Sequence, residues 1–150
     1  MTGPIRPTSE LVSVAWLKGV AGLPSGQVGT TLPSDVTKWP NGFVQARVVG
    51  GTDHMDLPVR QPVIRVSCWV PGSKRFGEAN VLADTVVAGT RGSDGHGQVG
   101  REVAINVADF APARVLSVWP LSTPVRVPDP SDFARYDVTL ELHWVPLVGY

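Results

Sequence analysis

Cysteine is almost absent from this sequence: Cys68 stands alone among 150 residues. No internal disulfide is available, and nothing in the chain requires an oxidising compartment. An excess of either charge is also missing. Thirteen Lys and Arg balance thirteen Asp and Glu, for a formal net charge of zero. A protein that grips nucleic acid through many phosphates normally carries a basic excess, so this balance argues against that role without excluding a local patch. No apolar run approaches the ~18 residues needed to span a bilayer. The opening "MTGPIRPTSE" has no apolar stretch of signal-peptide length. The expectation is a soluble protein made in the cytoplasm, with no membrane partner. Lysine is scarce beside arginine, which fits a GC-rich coding sequence and says little about chemistry. No internal repeat is visible.

What is present is globular. Hydrophobic residues make up 43% and charged residues 17% of the chain, enough for a core and too few charges for a disordered segment. The length suits one domain, residues 1–150, with a Gly-rich loop around 90–100. Sixteen Gly and fourteen Pro place much of the chain in turns.

The periodicity predicts two helices. "TSELVSVAWLKGVAG" (8–22) can be capped by Thr8 or Ser9, with Glu10 in the first turn, where the helix dipole favours negative charge. Leu11, Val14 and Ala15 form one apolar stripe and Val12, Trp16 and Val20 another, with Gly22 and Pro24 as the stop. "SKRFGEANVLADTVVAG" (73–89) places Ala79, Leu82, Ala83 and Val86 at i, i+3, i+4 and i+7, with Gly89 as its C-terminal stop.

Alternation of period two predicts the strands. In 42–51, Val44, Ala46 and Val48 oppose Gln45 and Arg47. In 62–70, Ile64, Val66, Cys68 and Val70 oppose Arg65, Ser67 and Trp69. A polar loop, "TDHMDLPVRQ", separates the two. Residues 113–122 form a further strand, and Val103, Ile105 and Val107 suggest a short one. In 134–145, Tyr136, Val138, Leu140, Leu142 and Trp144 alternate with Asp137, Thr139, Glu141 and His143. One apolar and one polar face is the mark of an antiparallel sheet covered on one side. The fold class is therefore α+β: a mostly antiparallel, four- to five-stranded sheet with two helices packed on one face.

Candidate chemistry is sparse. Cys68 lies in a row of branched aliphatics, whereas a reactive thiol needs an electropositive, partly exposed setting. "GHGQVG" (95–100) is a literal G-x-G-x-x-G, but it follows a helix end and a loop rather than a strand. No acidic residue sits about 20 positions on, so the dinucleotide context is lacking. His54, His96 and His143 are scattered without metal-ligand spacing. "DHMD" (53–56) offers two carboxylates and an imidazole, which fits a polar loop tip and falls short of a closed cation site. There is no G-x-S-x-G elbow and no P-loop. The sequence supplies no catalytic, cofactor-binding or metal-ligating candidate, and no cofactor is expected.

Several stretches together resemble the tail terminator (tail completion, or head–tail joining) proteins of long-tailed bacteriophages, particularly those infecting high-GC actinobacteria. They are the early helix "SELVSVAWLKGV", the strand entering a Gly pair "FVQARVVGG", and "PVIRVSCWV" followed by the Ala-rich helix "EANVLADTVVAG". The closing run "STPVRVPDPSDFARYDVTLELHW" adds a Pro-Asp turn leading into an alternating strand. The segment "TRGSDGHGQVGREVAINVADFAP" departs from that pattern.

The resemblance implies a structural, non-enzymatic virion protein at the head-proximal end of the tail. It implies a homo-oligomeric ring, hexameric in that family, that caps the tail tube, stops its polymerisation and joins the head connector. The implied partners are the tail tube protein and the head connector or neck protein, with DNA passing through the lumen without specific binding. A ring needs two different complementary patches on each subunit. The long polar loops and an exposed tryptophan supply assembly candidates: Asp53, His54, Met55, Asp56, Arg60, Trp69, Asp94 and His96. The competing functions are a head–tail connector subunit, a monomeric binding module, and a small enzyme built around Asp53, His54 and Asp56.

Overall fold

The computed structural model describes residues 8–20, 23, 27–53, 59–72, 74–91, 103–105, 113–128 and 133–146. Its two helices are α1 (Ser9–Lys18) and α2 (Phe76–Arg91). Its strands are β1 (Val28–Gly29), β2 (Phe43–Asp53), β3 (Arg60–Pro71), β4 (Val103–Ile105), β5 (Ala113–Pro120), β6 (Val125–Arg126) and β7 (Phe133–Pro146). They form one sheet in the order β1-β2-β3-β7-β5-β4, with β6 also paired to β7. Every pair is antiparallel except β1 with β2, which is parallel.

The α+β class agrees with the sequence, but among the described residues the sheet has seven strands and is mixed. The strands not anticipated, β1 and β6, have two residues each. A pair of residues carries no readable alternation.

α1 begins where Thr8 accepts a hydrogen bond from the Leu11 N–H at 3.2 Å, satisfying one donor left open at a helix start. It ends at Lys18, with Gly19 as the cap, rather than continuing to Gly22. α2 runs through Gly89 to Arg91, so Gly89 is not its stop. A Cβ on Gly89 would lie 2.8 and 2.9 Å from the two Val20 methyl carbons. A glycine suits this position because Val20, just past the end of α1, packs directly on that turn.

The apolar rows of the sheet and the helix stripes meet in one cluster. Val12, Trp16 and Leu17 of α1 and Ala79, Leu82, Ala83 and Val86 of α2 pack with Val44, Ala46, Ile64, Val66, Cys68, Val70, Val138, Leu140, Leu142 and Trp144. Each fully buried Val, Leu or Ile side chain contributes about 1.5–3 kcal/mol. α1 lies against β1, β2 and β3 and also reaches β4, while α2 lies against β3, β5 and β7. Because β4 is the opposite edge of the sheet from β1, the sheet curls around its helix layer.

β2 departs from its predicted alternation at Val48. The β2–β3 register slips between Val48 and Gly50, a bulge that leaves Val48 and Val49 both exposed. Gly51, at φ +108°, passes so close to β3 that a Cβ would meet the Gln61 carbonyl oxygen and lie 2.7 Å from Pro62 Cα. Pro62, which lacks an N–H, falls where the β3–β7 pairing passes from Arg60 directly to Val63.

Candidate assembly surface

The second face of the sheet points away from the helices. Cross-strand register places its residues in rows: Phe43, Trp69 and Arg135; Gln45, Ser67 and Asp137; Arg47, Arg65 and Thr139; then Val63 and Glu141. Beyond them, Trp119 lies opposite Glu141, and Ser117 opposite His143.

Alternation predicted a wetted face here, and the outcome is more closed. Ser67 is buried and Trp69 half-buried. Arg135 and Asp137 side chains are 17% and 15% exposed. The reason is that these groups satisfy one another. The Arg135 guanidinium donates to both Asp137 carboxylate oxygens, at 2.9 and 2.8 Å, a fork that matches the carboxylate. Its centre stands 4.8 Å from the Trp69 ring, within cation–π range.

Trp69 donates its indole N–H to Gln45 Oε1 at 3.2 Å, and Gln45 Nε2 donates to the Thr30 carbonyl at 3.2 Å. Trp69 also meets Phe133 edge-on. Trp39, fully buried, closes that end against Phe43 and Phe133. Its indole donates to the Pro33 carbonyl. Farther along, His143 Nε2 lies 3.3 Å from Glu141 Oε2, and the Trp119 ring sits edge-on to the imidazole.

Among the sequence candidates, Trp69 is thus engaged in a side-chain network. Arg60 is exposed at the start of β3, with Asp53 opposite it at the end of β2. Only the backbone of Asp53 is described; His54, Met55, Asp56, Asp94 and His96 lie outside the described residues, as does the whole of "GHGQVG". Among the described residues, the candidates seen side by side are Asp53 and Arg60, whose backbones pair across β2 and β3.

Cys68 is fully buried on the helix side. Burial first, and the Asp137 charge second, push its thiol well above the ordinary range. The row of aliphatics predicted this inert setting. Among the described residues, no group of three His, Cys, Asp or Glu side chains could hold a metal ion, and no helix is long and apolar enough to cross a membrane.

Two side chains on this face stand apart. Arg47 and Arg65 are directly opposed across β2 and β3, both exposed, and among the described residues neither has an ion-pair partner. Facing like charges are unfavourable. Arg135, by contrast, is paired with Asp137, and the His143 imidazole lies beside Glu141. Sequence reading puts Arg47 and Arg65 on polar rows but cannot make them neighbours, because only the strand register does that.

No protein-family profile matches the chain, and no curated protein matches its sequence. A solved structure does share the fold: a chain of the virion of a native gene transfer agent particle is similar at a TM-score of 0.53 and 14% identity. The match covers 91% of this chain and 85% of that one.

Proposed function

We propose that this protein is a structural subunit of a phage-type virion, acting as a tail terminator. It assembles as a ring on the finished tail tube, ends tube growth and presents the joint for the head connector. The observation that carries this reading is the fold shared, over nearly the full length of both chains, with a component of a gene transfer agent virion. The sequence pattern supports the same class independently, through the helix, the Gly-paired strand and the closing alternating strand. A neutral subunit suits a lumen through which DNA must move without being held.

The decisive experiment is location. Antibody labelling of purified particles carrying this protein should decorate the junction between head and tail. Native mass and negative-stain images of the isolated protein, alone and with tail tubes, should show a ring of about six copies. Label on the head side of the joint would favour a connector subunit. Particles without label would refute the virion role altogether. Deleting residues 92–98 tests the Gly-rich loop separately: unchanged rings and unchanged tail joining would remove that loop from the interface.

A further inference from the structure

We infer that the subunits join through two unlike patches: the bulged, arginine-bearing part of β2 and β3 on one copy, and the outer strip of α2 on the next. This inference rests on the assembly reading above and names the contact.

The first patch is built by the bulge. Arg47 and Arg65 face each other without an acidic partner among the described residues, and Val48 and Val49 beside them are 37% and 46% exposed. Val48 is in register with Ile64 of the helix-side row, so the apolar residue grouped with the two arginines is the bulge residue Val49. The β2 edge beside it is poorly suited to accept another strand. Its Val48 N–H already donates to the Glu10 carboxylate of α1 at 3.2 Å, and the bulge twists it. A side-chain contact is therefore favoured over sheet extension.

The second patch lies on the side of α2 turned from the sheet. Ala79, Leu82, Ala83 and Val86 are buried, so Glu78, Val81, Asp84 and Ala88, at steps of three and four, form the opposite strip, all exposed. Val81 is 62% exposed, the highest among the large apolar side chains of the described residues. Asp84 has no ion-pair partner among the described residues. This patch has Val81 beside one uncompensated carboxylate, Asp84, because Glu78 is already paired with Arg75.

Complementary charge around matched valines identifies a second copy of this chain as the occupant. The patches are unlike in place: Arg47 and Arg65 stand on the open sheet face, and the Val81–Asp84 strip lies on the side of α2 turned from the sheet. A contact between them is head-to-tail, and repeating it generates a ring when the rotation closes.

Because Cys68 is fully buried, introduced cysteines would be the reactive ones. The test is a Val49→Cys, Val81→Cys double variant under mild oxidation, beside each single variant. The double variant should give a ladder of covalent multimers and the singles none. Dimers from either single variant would mean a two-fold contact and overturn the inference. Arg47→Glu with Arg65→Glu should weaken assembly by at least about tenfold, as should Asp84→Arg, and combining all three should restore most of it. Circular dichroism and urea midpoints check that each variant is folded.

Native rings with no 49–81 cross-link and no response to charge reversal would overturn this contact while leaving the assembly role standing. A chain that stays monomeric, even with tail tubes, would remove both. If the arginine variant assembles normally but loses retention on duplex DNA, the pair is a phosphate surface and the contact is wrong.

Discussion

The indole N–H of Trp144, near the end of β7, donates to the Ser9 hydroxyl in the first turn of α1 at 3.0 Å, linking residues 135 positions apart. Trp144 is 2% exposed, and the bond meets the polar need of a ring otherwise surrounded by apolar side chains. Trp144→Ala should cost about 3–5 kcal/mol through lost burial and the cavity left behind. Ser9→Ala should cost about 1–3 kcal/mol by stranding the indole donor. Urea unfolding measures both. A loss below about 1 kcal/mol for Trp144→Ala would contradict the packing.

Cys68 should resist thiol reagents in the native protein and react fully once unfolded. Its raised thiol pKa, caused mainly by burial, also sets a pH dependence. Below the unfolded thiol's value of about 8.5 both states hold the proton, and stability does not change on its account. Above it the unfolded chain ionises while the folded chain does not, so stability falls by about 1.4 kcal/mol per pH unit from this group. Comparing urea unfolding of the native sequence and Cys68→Ala at pH 8 and 10 isolates the effect. An equal alkaline loss in both proteins would contradict it.

Gly89→Ala should destabilise, although alanine is the better helix former by about 1 kcal/mol. The added methyl would press on Val20, whose methyl carbons stand 2.8 and 2.9 Å from the new atom, and overpacking of this kind costs about 1–3 kcal/mol. Combining it with Val20→Ala should recover much of that loss. Additive free energies in the double-mutant cycle would show that the two do not touch.

Asp137→Asn should be worse than the double change Asp137→Asn, Arg135→Met. The single change leaves a largely buried guanidinium without its carboxylate, and removing one partner of such a pair costs more than replacing both. Thermal unfolding of the three variants orders them. A single variant at least as stable as the double would show that the pair contributes no mutual compensation.

The helix stripe of Ala79, Leu82, Ala83 and Val86, the buried rows of β3 and β7, a helix cap at Thr8 or Ser9 and the inert setting of Cys68 were legible in the sequence. Each is a local pattern, set by the 3.6- and 2-residue periods and by the chemistry of neighbours along the chain. The same patterns could not reveal the bulge at Val48 and Val49, because β2 alternates smoothly on paper and slips only against β3. Nor could they show that Gly89 makes room for Val20, since any glycine near a helix end reads as a stop.

The candidate surface divides in the same way. Which residues alternate, which are apolar and that Arg47, Arg65, Glu78 and Asp84 carry charge can all be read along the chain. The pairing of Arg135 with Asp137 also follows from the chain, since residues two apart on a strand share a face, but that Arg47 faces Arg65 depends on the β2–β3 register, which no local pattern sets.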